Sequence, residues 1–243
     1  MLTRRLAMRR QQAAKLVRLL PVPLFRKGLR RGAAAAVEHL ELLRALEPRT
    51  VLDVGANVGQ FALAVRAAAP AARIIAVEPL AGPAATFRRV FADDPAVTLH
   101  QTALGATSGE AVIHVSRRED SSSLLPIGEG QRTLFPGTDE ARAETIRVAP
   151  LDELVAAADL VPPALLKIDV QGFELPVLEG CATLLDRFAW VYVEVSFVAL
   201  YDGQALAHEV IAWLAARGLV LRGVHNPTWV AGRCIQADLL FGR

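Results

Sequence analysis

Nine residues, 51–59, reading VLDVGANVG, constrain this chain more than any other stretch. A short apolar run enters a turn of small residues, and a helical pattern leaves it. Asp53 stands at the end of the expected strand, Gly55 and Gly59 punctuate the turn, and Ala56 and Asn57 lie between them. Glycine lets the backbone take positive φ and lets a ligand approach where a Cβ would collide. A strand, a glycine turn and a helix N-terminus together form the cradle in which a doubly wound sheet holds an adenosine-containing cofactor.

The pattern on either side agrees with that sheet. Strands are expected at 50–54, 73–77, 97–101, 164–168 and 189–195, and helices at 58–68, 83–91, 151–158, after Gly172, and at 205–217. The alternation lapses over 105–150, where two strands, 111–116 and 144–148, flank a polar stretch at 121–138. A loop of that length inside a compact domain is usually functional. Two strands with no helix between them, 219–224 and 234–241, close the chain and imply an antiparallel final strand. The expected class is therefore α/β: a doubly wound, Rossmann-like, mostly parallel sheet with helices on both faces, laid out as in class I methyltransferases.

Charge divides the chain differently. Residues 1–31 hold ten Lys/Arg and no Asp or Glu, so the remainder is acidic by eight. The basic part reads as a helix over 4–20 stopped by Pro21 and Pro23, with a second helix at 33–46. The expected organisation is a basic helical arm at 1–32, then a catalytic domain at 33–243 with a substrate-side insertion at 105–150. The arm's thin apolar stripe suits packing on the body or on a second subunit of a homodimer; peripheral contact with an anionic membrane surface is the sharper alternative. Nucleic acid is not expected, because no aromatic residues interleave the arginines. No apolar run approaches the ~20 residues that span a bilayer. Arg9, Arg10, Lys15 and Arg18 interrupt any signal-peptide core. Cys181 and Cys234 offer neither a disulfide framework nor metal spacing, and no metal is expected. A reduced, cytoplasmic setting follows, with the inner face of the membrane as the variant.

Asp53-x-Gly55-x-x-x-Gly59 is not the dinucleotide fingerprint, because Asn57 stands where the second glycine would be. That glycine admits a pyrophosphate, which S-adenosylmethionine lacks. Glu78, followed by Pro79, lies one helix further on at the end of the second strand, where a carboxylate accepts hydrogen bonds from ribose hydroxyls. Thr102, Ala103 and Leu104, after the third strand, are expected along the adenine. In 165–174, LLKIDVQGFE, Asp169 again ends a strand. A carboxylate there takes a proton from an acceptor hydroxyl or compensates the cofactor's ammonium group. Glu194, in VYVEVS, is the second candidate for base or substrate orienter, with a buried structural ion pair as its bland alternative. Glu174 is expected to cap the next helix and Lys167 to snorkel from its strand. Of the five histidines, none has ligand spacing; a loop or strand end could bring His114 or His225 to an acceptor, but a lone histidine is more often structural, and that is the expected role.

DVGANVGQF, VEP, TALG, the run LLKIDVQGFELPVLEGC, VEVS followed by Tyr201, and the closing ADLLF resemble the FkbM family of S-adenosylmethionine-dependent methyltransferases. The resemblance runs over residues 51–241 and leaves the basic arm outside. It implies a class I methyltransferase fold and O-methylation of a hydroxyl on a sugar, glycolipid or polyketide-type acceptor, either a small molecule or one linked to glycan or lipid. Asp53, Gly55, Asn57, Gly59 and Glu78 match the family's cofactor motifs, Asp169 its acidic block, and 121–124 its variable substrate-side insertion.

Three rival readings compete with this one. An NAD(P)-dependent oxidoreductase would share the first half of the fold, but the chain lacks the third glycine and a Tyr-x-x-x-Lys pair. A nucleic-acid methyltransferase would place an Asn/Asp-Pro-Pro-aromatic tetrad after the fourth strand. Asn226-Pro227-Thr228-Trp229 looks similar but comes after the sixth, and reads as a turn in which Trp229 covers apolar surface. The third is a non-catalytic cofactor-binding module of the same fold. A metal-assisted mechanism lacks its Asp-Asn pair at Glu194-Val195-Ser196.

Overall fold

The computed structural model describes residues 19–243. All but the last two residues of the basic helix expected over 4–20 lie outside that span. In chain order the elements are α1 (Pro23–Arg31), α2 (Leu40–Leu46), β1 (Thr50–Val54), α3 (Gln60–Ala68), β2 (Arg73–Val77), α4 (Ala81–Val90) and β3 (Val97–His100). There follow β4 (Ala103–Leu104), β5 (Gly109–Ser116), α5 (Glu129–Leu134), β6 (Glu140–Ala149), α6 (Leu151–Leu154), β7 (Ala164–Ile168) and α7 (Glu174–Gly180). The chain closes with β8 (Trp190–Ser196), α8 (Ala207–Ala215), β9 (Val220–Val230) and β10 (Arg233–Gly242).

Seven strands form one sheet in the order β3-β2-β1-β7-β8-β10-β9. β1 runs parallel to β2 and β7, β7 to β8, and β2 to β3, while β10 is antiparallel to both β8 and β9. This is the expected mostly parallel sheet with its antiparallel final strand. The strand order reverses between β1 and β7, which opens a crevice at their carboxyl ends.

Side chains alternate across the pleat. Leu52, Val54, Leu166, Ile168, Val191 and Val193 join Val177, Leu178, Val210 and Leu214 of α7 and α8 on one face. Val51, Ile74, Leu165 and Tyr192 join Leu43, Phe61, Leu63 and Phe87 on the other. The second face also carries the polar side chains of the site.

Residues 19–32 belong to that second face. Leu19 and Phe25 are buried in the same cluster as Leu43 and Phe61. Gly28 lies so close to α3 that a Cβ there would meet Leu63 Cδ1 at 2.6 Å. Leu19 is helical and residues 20–22 are not, so the chain leaves its helix at Pro21 as expected, and Pro23 opens the next one, at the first-turn position where its missing N–H is no loss. The helix expected over 33–46 is interrupted. Gly32, at φ 101°, terminates α1, and Ala33 N bonds Gly28 O. The chain then crosses to α3, where Ala36 N bonds Gln60 O, before a 3₁₀ turn at Val37–His39 leads into α2. That crossing delivers His39 to the site.

Two further expectations are corrected. The helix expected at 151–158 ends at Leu154, with a 3₁₀ turn at Ala157–Asp159. Asn226-Pro227-Thr228-Trp229 is not a turn but part of β9, an edge strand, where proline's lost donor is tolerated. Asn226 takes φ 46° beside a register shift, and Trp229 is 63% exposed, so it covers no apolar surface.

The lapse over 105–150 holds a second, three-stranded sheet in the order β4-β6-β5. The segment between β5 and β6 folds back over the carboxyl ends of β1 and β7. His114 pairs with Ser123 through two backbone bonds, and Tyr201 with Ile127 as a bridge.

Candidate functional site

The turn after β1 is built by backbone contact. Gly55 takes φ 78°, and a Cβ on it would fall 1.8 Å from Asp169 O, so the β1 and β7 turns touch at a point only glycine permits. Gly55 N and Ala56 N both donate to Val77 O, at 3.0 and 3.1 Å. Asn57 follows in the left-handed region at φ 48°.

That geometry aims Asn57 N at Glu78 Oε2, 2.9 Å away, while Leu80 N donates to Glu78 Oε1 at 2.8 Å. Each carboxylate oxygen keeps a lone pair. Glu78 is 6% exposed, and burial pushes its pKa up to about 7 against the pull of the Leu80 and Asn57 donors.

A cleft of about 390 Å³ opens here. Gly55, Ala56, Asn57, Glu78, Pro79, Ala103, Leu104 and Asp169 all line it. Asp53, Gly59 and Thr102 do not. Asp53 is wholly buried beneath the turn. Gly59, at φ 94°, packs where a Cβ would meet Phe91 Cε2 at 2.6 Å, and so serves helix packing. Thr102 Oγ1 is turned to Arg147 O. Glu194 stands behind the lining, linked to it through Gln171 and Gln236.

Lys167 does not snorkel. It is 7% exposed, directly opposite Asp53 across β1 and β7, with Nζ 3.2 Å from Asp53 Oδ1, 3.7 Å from Asp169 Oδ2 and 3.3 Å from Gly55 O. Burial works to lower its pKa, but the Asp53 and Asp169 carboxylates outweigh that and hold it above the ordinary lysine value. Burial pushes Asp53 up, and Lys167 only partly offsets it.

Gln171, in the left-handed region at φ 55°, joins the two candidate catalytic carboxylates. Its Nε2 donates to Asp169 Oδ1 at 2.8 Å and to Glu194 Oε2 at 2.9 Å. Its Oε1 accepts from Tyr201 Oη at 3.1 Å. The reverse amide orientation would set a carbonyl against two carboxylates, so the neighbours fix it. Gln236 Nε2 donates to the same Glu194 oxygen at 3.3 Å. Burial, then the charges of Asp169 and Asp238, push Glu194 well above the ordinary carboxylate value. Glu174 caps its turn, accepting from Gly172 N at 2.8 Å, and burial pushes it up to about 7.

The outer walls come from the two regions that carry no motif. Ser121, Ser122, Ser123, Gln131 and Phe135 of the insertion line one side; Ala36, Glu38 and His39 line another. His114 instead bonds Glu140, and His225 packs edge-on to Tyr192; neither lines the cleft. His39 had no local signal in sequence. Lys167 did have one, a single charge inside the otherwise apolar strand ALLKI. Among the described residues no cluster of His, Cys, Asp or Glu is arranged to hold a metal ion, and no helix is long and apolar enough to cross a membrane.

The chain matches the family described as Methyltransferase FkbM domain over residues 53–221. It is 27% identical to 2-O-methyltransferase NoeI of Sinorhizobium fredii over 83% of this chain and 88% of that one. It is 25% identical to Methyltransferase 1 of Beauveria bassiana, over 74% and 75% of the two chains. Among solved structures it resembles the methyltransferase FkbM from Methylobacillus flagellatus, with a TM-score of 0.54 and 16% identity over 80% of this chain. It spans 44% of that larger chain, and the likeness bears on the fold alone.

Proposed function

This chain belongs to the FkbM methyltransferase family, and from that premise we propose that it moves the methyl group of S-adenosylmethionine to a hydroxyl oxygen of a sugar, glycolipid or polyketide-type acceptor. The observation that carries the reading is Glu78: a nearly buried carboxylate on the rim of the cleft, anchored by two backbone donors with lone pairs to spare. A buried acid so placed suits the two hydroxyls of a ribose.

The remaining residues fit the same group. The Gly55 turn admits a ligand against bare backbone. Ala103, Leu104 and Phe173 offer apolar surface to a flat ring. Asp53 offsets the Lys167 cation and leaves Asp169 in excess, so this part of the site favours a positively charged group. The cofactor, when bound, supplies an activated methyl on a cationic sulfur.

The protein's own contribution is position and charge. Gln171 ties Asp169, on the lining, to Glu194 behind it, in one acidic wall that orients an acceptor hydroxyl. The serines and Gln131 of the insertion add the donors and acceptors that a polyhydroxyl acceptor requires. The name of the 2-O-methyltransferase relative supports oxygen as the acceptor atom. The family match disfavours an oxidoreductase, and the intact wall disfavours a binding module.

Calorimetry with S-adenosylhomocysteine tests the ribose assignment. Binding is expected, weakened about tenfold or more in Glu78→Ala, since an interaction with a charged group is worth about 1.5–3 kcal/mol. Unchanged affinity would remove Glu78 from the site. A mass-spectrometric screen for gain of one methyl over simple glycosides, glycolipids and polyketides identifies the acceptor.

A further inference from the structure

Four polar side chains, one on the cleft wall and three behind it, remain without a part in this scheme. His39 lines the cleft. Its Nδ1 lies 3.1 Å from Tyr192 Oη, which lies 3.0 Å from Asp238 Oδ2. Asn226 Nδ2 donates to the same Asp238 oxygen at 2.8 Å, and lies 3.2 Å from Tyr192 Oη and 3.3 Å from His39 Nδ1. Tyr192 is 2% exposed, so this chain of groups is sealed from bulk water at its middle.

The proton positions follow from the partners. Asp238 Oδ2 is the strongest acceptor present, so the Tyr192 hydroxyl donates to it. The tyrosine oxygen is then left to accept, from Asn226 Nδ2–H and from His39 Nδ1–H. With the second Asn226 N–H on Tyr192 Oη rather than on His39 Nδ1, Nδ1 carries the proton and Nε2 the lone pair. No described residue hydrogen-bonds Nε2. The ring is held edge-on against both Phe61, at 5.1 Å between centroids, and Tyr192, at 5.6 Å. Phe61 in turn packs under Lys167 Nζ at 5.5 Å. His39 therefore stands over the same sheet face, and in the same cleft, as Asp169 and Lys167.

We propose that His39 is the proton acceptor for the methyl transfer, with Tyr192, Asn226 and Asp238 as the residues that position it. The inference rests on the reading above. In the step it assigns, the acceptor oxygen bonds the methyl carbon as the carbon–sulfur bond breaks with its electron pair going to sulfur. The hydroxyl proton passes to Nε2 and from there to water. Asp169, on the lining, would then orient the hydroxyl with Glu194 behind it through Gln171, while the base comes from outside the matched family segment.

Burial favours the neutral imidazole that a base must be. It holds His39 below its ordinary value, with Lys167 acting in the same direction and Asp238, Glu38 and Asp169 opposing. His225 packs against the far side of Tyr192. Burial and Asp238 keep the Tyr192 hydroxyl protonated far above neutrality, so it relays orientation rather than charge.

The test is nitrogen-15 NMR of the imidazoles in the full-length protein with S-adenosylhomocysteine added, the His39 signal being assigned by its loss in His39→Gln. The expected signal shows protonated Nδ1 and bare Nε2 at neutral pH. It should titrate below the ordinary histidine range, and lower still in Asp238→Asn. A protonated Nε2 at neutral pH overturns the proposal. In turnover, His39→Gln is expected to lose about 10²-fold or more in kcat with the acceptor KM and S-adenosylhomocysteine affinity little changed. Wild-type kcat in that variant overturns it equally. Failure of the wild-type protein to bind S-adenosylhomocysteine would instead defeat the cofactor reading, and this proposal with it.

Discussion

Lys167 and Asp53 face each other directly across β1 and β7, with Nζ 3.2 Å from Oδ1; Asp53 is wholly buried and Lys167 is 7% exposed. Apart from Lys167 the Asp53 carboxylate has no hydrogen-bond partner among the described residues. Its burial is tolerated only because the lysine is there. Lys167→Met should therefore cost about 3–5 kcal/mol, the usual result of leaving one member of a buried pair uncompensated. Denaturant unfolding would show it. Asp53→Asn in the same background should recover much of the loss, since it removes the stranded charge. Additive losses in the double variant would mean the pair is not coupled.

The pair also shows how far sequence could carry the fold and the site. β1, β2 and β7 were legible to the residue, because five-residue apolar runs between turn signals admit little else. The glycine turn and Glu78 were legible because both follow from the carboxyl ends of those strands. Lys167 was misread, since the consequence of a charge in a buried strand depends on what the register sets opposite it. β9 was read short because Asn226-Pro227 resembles a turn, while an edge strand accommodates both residues with a bulge. His39 was missed because its position depends on where α1 ends: Gly32 terminates that helix and sends the next four residues across to α3.

Glu78 and Glu174 make a pH prediction whose sign is set by burial. Each is pushed from 4.5 up to about 7. Between those values the native state binds more protons than the unfolded chain, so stability falls as pH rises through that window. Each contributes at most about 3 kcal/mol, at 1.36 kcal/mol per pKa unit. Unfolding measured across the window should flatten in Glu78→Gln and in Glu174→Gln. His39 acts in the opposite sense: burial holds it below 6.5, so its contribution is lost as pH falls through that value. Nucleoside binding should strengthen as pH rises through 7, because ribose hydroxyls donate to the ionised Glu78.

Gln171 is the one donor shared by Asp169 and Glu194. Gln171→Asn tolerates the left-handed backbone at this position but is too short to reach both carboxylates. The two carboxyl groups are then no longer held to a common donor. Turnover should fall about tenfold or more, equivalent to about 1.4 kcal/mol of transition-state positioning, while S-adenosylhomocysteine binds as before. Turnover at the wild-type level would show that the wall does not depend on its bridge.

Gly55→Ala should separate the cradle from the rest of the fold. The added Cβ would fall 1.8 Å from Asp169 O, and the obstacle is backbone, which cannot swing away as a side chain does. The β1 and β7 turns must part, taking Asn57 N from Glu78 and Asp169 from its place in the cleft. S-adenosylhomocysteine binding should vanish in calorimetry. Gly137→Ala is the control: it has the same left-handed conformation, φ 90°, with nothing within 4 Å of the new atom. It should cost only the backbone strain, about 1–2 kcal/mol, and leave binding intact. If both variants bind equally well, close approach at Gly55 does not build the site. If only Gly55→Ala fails while its melting temperature stays near that of Gly137→Ala, the loss is local to the cradle.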